Sequence, residues 1–125
     1  MNIVVIGLGS MGKRRIRIIK ALYPESKIVG VDTRDDRRIE VKQKYEISSY
    51  TSLDEAQMHL DIKCVFVCTS PLSHAGIIMD CLKRDLNVFT EINLVPDHYE
   101  EMQLIAQKKQ LVLFLSSTPI YRSEM

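Results

Sequence analysis

The chain has almost no net charge. Its 17 lysines and arginines face 16 aspartates and glutamates, leaving a formal charge of +1. So weak a field does not recruit nucleic acid or an anionic surface from a distance, and neither partner is expected. Long apolar runs are missing as well. None reaches the ~18 residues that a membrane span needs, so no membrane partner is expected. The N-terminus enters an apolar strand pattern at Asn2 with no basic leader and no cleavage site, which argues against export. Cysteine is scarce, with only Cys64, Cys68 and Cys81. An odd count without an export signal favours reduced thiols and a cytoplasmic location. Cys64 and Cys68 share a strand pattern whose rise sets them ~13 Å apart, too far to hold one metal ion. All three thiols are therefore expected in the core, and no metal site is expected. Repeats, low-complexity segments and internal linkers are also absent. The 125 residues read as one domain, large enough for a real core.

What is present begins at once. Asn2 to Ile6 reads as a short buried strand. Gly7-Leu8-Gly9-Ser10-Met11-Gly12 follows, and a helical pattern runs from Lys13 to about Leu22. A G-x-G-x-x-G turn between strand and helix carries information that the bare glycine string lacks. Gly7 permits the tight turn, Gly9 lets the backbone approach a pyrophosphate, and Gly12 lets the helix pack on the strand. The helix N-terminus, with Ser10 and Met11 at the turn, offers unpaired N–H groups and partial positive charge to the phosphates. A second strand, Lys27 to Asp32, ends in an acid where an adenosine ribose would be held. An ionised Asp32 repels a 2′-phosphate, so NAD is expected ahead of NADP. Arg34, Arg37 and Arg38 follow closely and keep NADP open. Lys13, Arg14, Arg15 and Arg17 read as a solvated helix face, because no stacking aromatics accompany them.

Strand and helix signals alternate to the end, which argues an α/β fold: a doubly wound, mostly parallel sheet of about six strands. Pro24 stops the first helix. Asp35 and Asp36 open a second that runs towards Tyr45, their charge favoured by the helix dipole. A short strand is expected over Ile47–Tyr50. Ser52 and Glu55 have capping-box spacing and open a short helix through Leu60. Ile62 to Cys68 is an apolar run suited to burial on both faces. Thr69-Ser70-Pro71 forms the loop after it, and a helix is expected from about His74 to Arg84. Leu86–Glu91 is the fifth strand. Asp97 caps a helix reaching Lys109, and Leu111–Leu115 is the sixth strand. His74 and Glu91 fall at the carboxyl end of the sheet, where ligands bind in this architecture. Thr69, Ser70 and Pro71 would line the crevice near the nicotinamide ribose. His59 and His98 are expected on the surface.

Gly7-Leu8-Gly9-Ser10-Met11-Gly12-Lys13-Arg14, then Val31-Asp32, Val67-Cys68-Thr69-Ser70-Pro71 with His74, and Val88-Phe89-Thr90-Glu91 resemble the N-terminal domain of the Gfo/Idh/MocA oxidoreductases. The resemblance spans essentially the whole chain. It implies an NAD- or NADP-binding Rossmann domain over residues 1–125, with a separate C-terminal substrate domain absent from this chain. It also implies hydride transfer to or from a carbinol carbon of a sugar or polyol. The family usually continues after the fifth strand as Glu-Lys-Pro, with the lysine near the reacting hydroxyl. Here Glu91 matches, but Ile92 and Asn93 stand in place of lysine and proline. Isoleucine cannot donate a hydrogen bond or carry a proton. Glu91, Asn93 and His74 remain as catalytic candidates, and the chain alone is expected to lack turnover.

Two other readings stay open: a non-catalytic module that holds or senses NAD(H), and an S-adenosylmethionine-dependent methyltransferase, which also uses a glycine turn and an acid ending strand two. Ile120 and Tyr121 follow an apolar final strand, so self-association through Leu111–Leu115 or the tail, most simply as a two-fold dimer, is expected.

Overall fold

The computed structural model describes residues 2–69, 71–91, 99–111 and 113–116. In chain order these form β1 (Asn2–Ile6), α1 (Ser10–Leu22), β2 (Lys27–Val31), α2 (Asp35–Tyr45), β3 (Ser48–Tyr50), α3 (Leu53–His59), β4 (Cys64–Val67), α4 (Pro71–Lys83), β5 (Asn87–Glu91), α5 (Tyr99–Lys109) and β6 (Leu113–Ser116). The strands make one six-stranded sheet in the order β3-β2-β1-β4-β5-β6, and every neighbouring pair is parallel. This is the doubly wound α/β architecture expected from the sequence. The order reverses between β1 and β4, and the loops leaving their carboxyl ends diverge to open a crevice.

The alternation of side chains along each strand feeds two cores. From β1, Ile3 and Val5 join a cluster with Ile16 and Ile19 of α1 and Val41 of α2. Val4 and Ile6 join the other cluster, with Leu53 and Ala56 of α3, Ile78, Cys81 and Leu82 of α4, and Ala106 of α5. Burial of each such aliphatic side chain stabilises the fold by ~1.5–3 kcal/mol. The cysteines behave as packing residues: Cys64 and Cys81 are buried and Cys68 is half-buried. Burial pushes the Cys64 thiol up to about 11 and the Cys81 thiol up to about 12, which leaves both protonated and unreactive at neutral pH. Among the described residues, no helix is long and apolar enough to cross a membrane.

Helix boundaries depart from the sequence reading for identifiable reasons. Helix α4 begins at Pro71 rather than His74. Proline's fixed φ suits the first helical position, where its missing N–H costs nothing. Helix α1 begins at Ser10, with Gly9 as its N-cap, so half of the glycine motif is already helical. At the other end of the helices, Leu86 N–H bonds to Cys81 O at 3.1 Å and Leu111 N–H to Ala106 O at 2.9 Å. These six-to-one bonds close α4 and α5. The apolar runs expected to start strands at Leu86 and Leu111 therefore lose their first residue to a helix cap. Left-handed residues at these ends are Glu46, Asp85 and Gln110, with φ of 57°, 63° and 58°; none is the glycine that usually marks such a site. Helix α3 starts as expected: Ser52 Oγ accepts from Glu55 N–H at 3.1 Å, and Glu55 Oε1 accepts from Thr51 N–H at 3.0 Å.

The basic run on α1 is only partly a solvated face. Lys13 pairs with Glu40 of α2 at 2.5 Å, and Arg17 donates to the Tyr45 hydroxyl at 3.1 Å. His59 is exposed, as expected, and stacks on Tyr50 with ring centroids 5.4 Å apart. Asp97, His98, Ile120 and Tyr121 lie outside the described residues.

Candidate functional site

Three loops meet at the carboxyl end of the sheet. The first leaves β1. Gly7 has a φ of 92°, a left-handed conformation that side chains resist. Its N–H donates to Val31 O at 2.8 Å, which ties the turn to the end of β2. A Cβ on Gly7 would sit 2.7 Å from the carbonyl oxygen of Cys68 and 3.1 Å from Cγ2 of Thr69. The glycine turn and the loop after β4 are thus in direct contact. Gly12 is tighter still, since a Cβ there would fall 1.8 Å from the Gly7 carbonyl oxygen. The first turn of α1 packs against the turn that precedes it, so Gly12 is required by the Gly7 carbonyl rather than, as the sequence reading had it, by the strand.

This packing presents the start of α1 to the crevice. Its first backbone N–H groups have no partners within the helix. No side chain caps it, and its first turn holds no acid. A 13-residue helix so exposed carries partial positive charge at this end.

The second loop leaves β2 at Asp32. Its carboxylate is only 8% exposed and reaches back to the turn. Oδ2 accepts the Leu8 N–H at 2.8 Å, and Oδ1 accepts the Arg34 N–H at 2.9 Å. Arg37 of α2 approaches the same Oδ2 at 3.5 Å. The acid therefore braces the glycine turn from the end of β2.

The third loop leaves β4. Cys68 N–H donates to Ile6 O at 2.8 Å, extending the β1–β4 ladder into the loop. The Thr69 hydroxyl is buried, with no hydrogen-bond partner among the described residues. A buried hydroxyl in that state costs free energy unless something satisfies it. Pro71 and His74 lie in the first turn of α4, and Glu91 closes β5 in register with Ser116. The side chains of Pro71, His74 and Glu91, and all of Ser70 and Asn93, lie outside the described residues. Beside Glu91, the Thr90 hydroxyl donates to Val67 O at 3.0 Å and ties β5 to β4.

The structure thus gathers Gly7, Gly12, Asp32 and Thr69 around one crevice, with Gly9, Ser10 and Met11 at its rim. One contributor escaped the sequence reading, and another was read only as one of three arginines behind Asp32. Gly30 on β2 makes room for Leu8, since a Cβ there would lie 2.8 Å from both Leu8 methyls; an isolated glycine in a strand pattern was the available signal. Arg37 is the other. A Cβ on Gly9 would meet its guanidinium carbon at 3.4 Å, so Arg37 bridges α2 and the turn.

The arrangement fits an anion held against backbone N–H groups beside a carboxylate that accepts hydroxyl donors. Known proteins share the fold that carries it. Residues 1–117 match the family model described as "Oxidoreductase family, NAD-binding Rossmann fold". A myo-inositol 2-dehydrogenase of Thermotoga maritima is 28% identical over 116 residues, covering 92% of this chain and 35% of its own length. Among solved structures, GenD2 from gentamicin A biosynthesis, in complex with NAD, aligns with a TM-score of 0.84 at 23% identity, over 93% of this chain and 34% of its own. Biliverdin reductase from Synechocystis, with biliverdin and NADP+, aligns with a TM-score of 0.80 at 17% identity, over 91% and 37%. These two alignments speak to the fold. The chain spans about a third of the length of such relatives.

Proposed function

This chain belongs to the Gfo/Idh/MocA oxidoreductase family, and from that premise we propose that it is the dinucleotide-binding domain of an enzyme that moves hydride to or from a carbinol carbon of a sugar or polyol. The observation that carries the reading is the cradle. The backbone at Gly7 and Gly12 is packed where any Cβ would collide, and the uncapped start of α1 and Asp32 stand on either side of it.

Pyrophosphate would be held by the N–H groups at the start of α1, and the adenosine ribose by Asp32. Thr69, Ser70 and Pro71 would flank the nicotinamide end, where the buried Thr69 hydroxyl offers a donor. When bound, the cofactor supplies the hydride chemistry, and the protein supplies orientation and electrostatics. Glu91, His74 and Asn93 are the catalytic candidates that the family resemblance leaves to this chain. Ile92 holds no titratable proton, so the chain by itself lacks the acid–base group that usually follows Glu91 in the family. We expect binding without turnover.

Calorimetry with NADH, NADPH and, as a control, S-adenosylmethionine tests this. NADH or NADPH binding without sugar oxidation is the expected result. Silence at millimolar concentrations of both, or tighter binding of S-adenosylmethionine, overturns the binding assignment. Robust oxidation of a polyol by this chain overturns the claim of inactivity.

Self-association follows from the same frame. Among the described residues strand β6 is the last in the sheet order, and a sheet edge invites another strand. The half-buried Phe66–Phe89 stack, with centroids 5.1 Å apart, lies one and two strands inward. Light scattering is expected to report a dimer that Leu115→Lys dissociates; a clean monomer at high concentration refutes it.

A further inference from the structure

The two faces of β4 and β5 are covered unequally. On the face carrying α3, α4 and α5, Val65, Val67 and Val88 are 0%, 2% and 0% exposed. On the other face Phe66 and Phe89 are only half-buried, although neither strand lies at an end of the sheet order. Their rings stack with centroids 5.1 Å apart. Phe89 is in register with Phe66 on one side and with Phe114 on the other. The chain's three phenylalanines therefore occupy one row across β4, β5 and β6. A parallel sheet is normally covered on both faces, but the described helices of this face, α1 and α2, pack on β1, β2 and β3. None of the described helices is placed over the aromatic row.

The strip beside α1 has the width of one helix. β5 lies two strand spacings from β1, ~9–10 Å, and packed helices lie ~8–10 Å apart. A helix set next to α1 would rest on β4 and β5. One wall of that groove is already shaped. Lys13 and Arg17 reach Glu40 and Tyr45, so their flank of α1 faces α2. Arg14, Ile18 and Leu22 form an i, i+4 row turned away from α2, and Ile18 and Leu22 are 38% and 66% exposed. Wall and floor are thus both apolar. The rim is basic: α1 carries Lys13, Arg14, Arg15, Arg17 and Lys20 and no acid. Arg14 is exposed and meets no acid among the described residues.

We propose that this groove docks an amphipathic helix of a partner protein, with aliphatic side chains on the face turned to Phe66, Phe89 and Ile18 and carboxylates on the flank turned to α1. Such a helix-in-groove contact uses apolar anchors at helical spacing. Charge decides between occupants. A second copy seated on the groove about a two-fold axis would set its own α1, with five cations and no acid, beside this one. Like charges so juxtaposed oppose association. An acidic flank turns the same row of cations into an attraction. The surface is distinct from the β6 edge, because it offers side chains of the sheet face rather than backbone groups of a strand. Leu22 stands ~18 Å along α1 from the glycine turn, so the docking surface extends well away from the crevice.

Fluorescence anisotropy on the whole chain tests this with two labelled synthetic peptides of about 18 residues, each with leucine at helical spacing on one face. One carries glutamate on its flanks and the other lysine. The glutamate peptide is expected to bind about tenfold tighter than the lysine peptide, and more weakly as salt rises. Leu22→Asp and Ile18→Asp should each weaken it by about tenfold. Both positions are exposed, and an unchanged urea midpoint shows that the variants fold. Phe89→Leu, which keeps the floor apolar, should weaken it several-fold, and Arg14→Glu should narrow the preference for glutamate over lysine. Equal binding of the two peptides overturns the proposal, as does no binding of either. Binding that Leu22→Asp and Phe89→Leu both leave untouched lies elsewhere and also overturns it. A wild-type dimer in light scattering that Leu22→Asp dissociates would make a second copy the occupant, and overturns it too.

Discussion

The two faces of the sheet use their polar side chains for opposite ends. On the face carrying α3, α4 and α5, charged groups fasten helices to one another. Arg84, just beyond α4, donates to Asp54 at 2.6 Å and Gln57 at 2.7 Å on α3, and back to Asp80 at 3.1 Å. Lys109 of α5 donates to the carbonyls of Leu82 and Lys83 at 3.1 and 2.9 Å and pairs with Asp85 at 2.8 Å. Each tie is one of several. On the face carrying α1 and α2, the start of α1 is left without a side-chain cap, and a single buried carboxylate spans from β2 to the glycine turn. The first face spreads its stability over replaceable contacts. The second ties α1 to α2 in the same way, through Lys13–Glu40 and Arg17–Tyr45, but at the turn it relies on a few backbone and carboxylate contacts and leaves donors open for a ligand.

If that contrast holds, the heaviest damage comes from the turn itself. Gly12→Ala would place a methyl 1.8 Å from the Gly7 carbonyl, with backbone rather than a yielding side chain in the way. We expect a stability loss of about 3 kcal/mol, the upper part of the range for overpacking, and loss of NADH binding. Urea denaturation and calorimetry check this. A variant as stable as the wild type would show that the turn and α1 separate easily.

Asp32→Ala comes next. It strips the Leu8 and Arg34 N–H groups of their acceptor and, on the proposed reading, would leave the ribose without one. NADH binding should weaken by ~1–3 kcal/mol, the scale of a lost charged hydrogen bond. NADPH should weaken less or bind better, because the repulsion of a 2′-phosphate goes with the carboxylate. An unchanged NADH/NADPH affinity ratio would remove Asp32 from the ribose site. Arg84→Ala is the matched cut on the other face. Three hydrogen bonds vanish there, but Asp54 and Asp80 are largely exposed, at 76% and 51%, and water replaces their partner. About 1 kcal/mol of stability should be lost, with cofactor affinity unchanged. If Arg84→Ala altered the cofactor ratio, the two faces would not be independent.

The same contrast governs what could be read from the sequence. The open face announces itself, because a cradle of backbone needs glycine and glycine spacing is visible. Gly7, Gly12 and Asp32 fall where the strand–turn–helix pattern placed them. The apolar run of β1 likewise read as a buried strand, and its side chains feed both cores. What stayed hidden depends on distances between remote residues. Gly30 opposes Leu8, 22 positions away, only because β2 lies beside β1 in register Val5↔Gly30. Arg37 differs from Arg34 and Arg38 only in which acid each one meets. Helix ends were legible without a glycine: α2 and α5 stop at Tyr45 and Lys109 as read, although the left-handed residues that follow them are Glu46 and Gln110.

Those unmarked ends supply the smallest test. Glu46 is exposed, follows α2 on the open face, and holds φ 57° and ψ 38° while its N–H bonds to Lys42 O at 3.1 Å. An L residue bears a steric penalty in that conformation, while glycine avoids it at the cost of a more flexible unfolded chain. The balance at a helix C-terminus favours glycine. Glu46→Gly should therefore raise stability by ~0.5–1 kcal/mol, seen as a higher urea midpoint with an unchanged slope. Because Glu46 lies at the far end of α2 from Arg37 and Asp32, the NADPH/NADH ratio should not move. A gain in stability accompanied by a changed ratio would mean that α2 shifts as a body and carries Arg37 with it. The open face would then be one coupled unit, unlike the separately tied helices opposite.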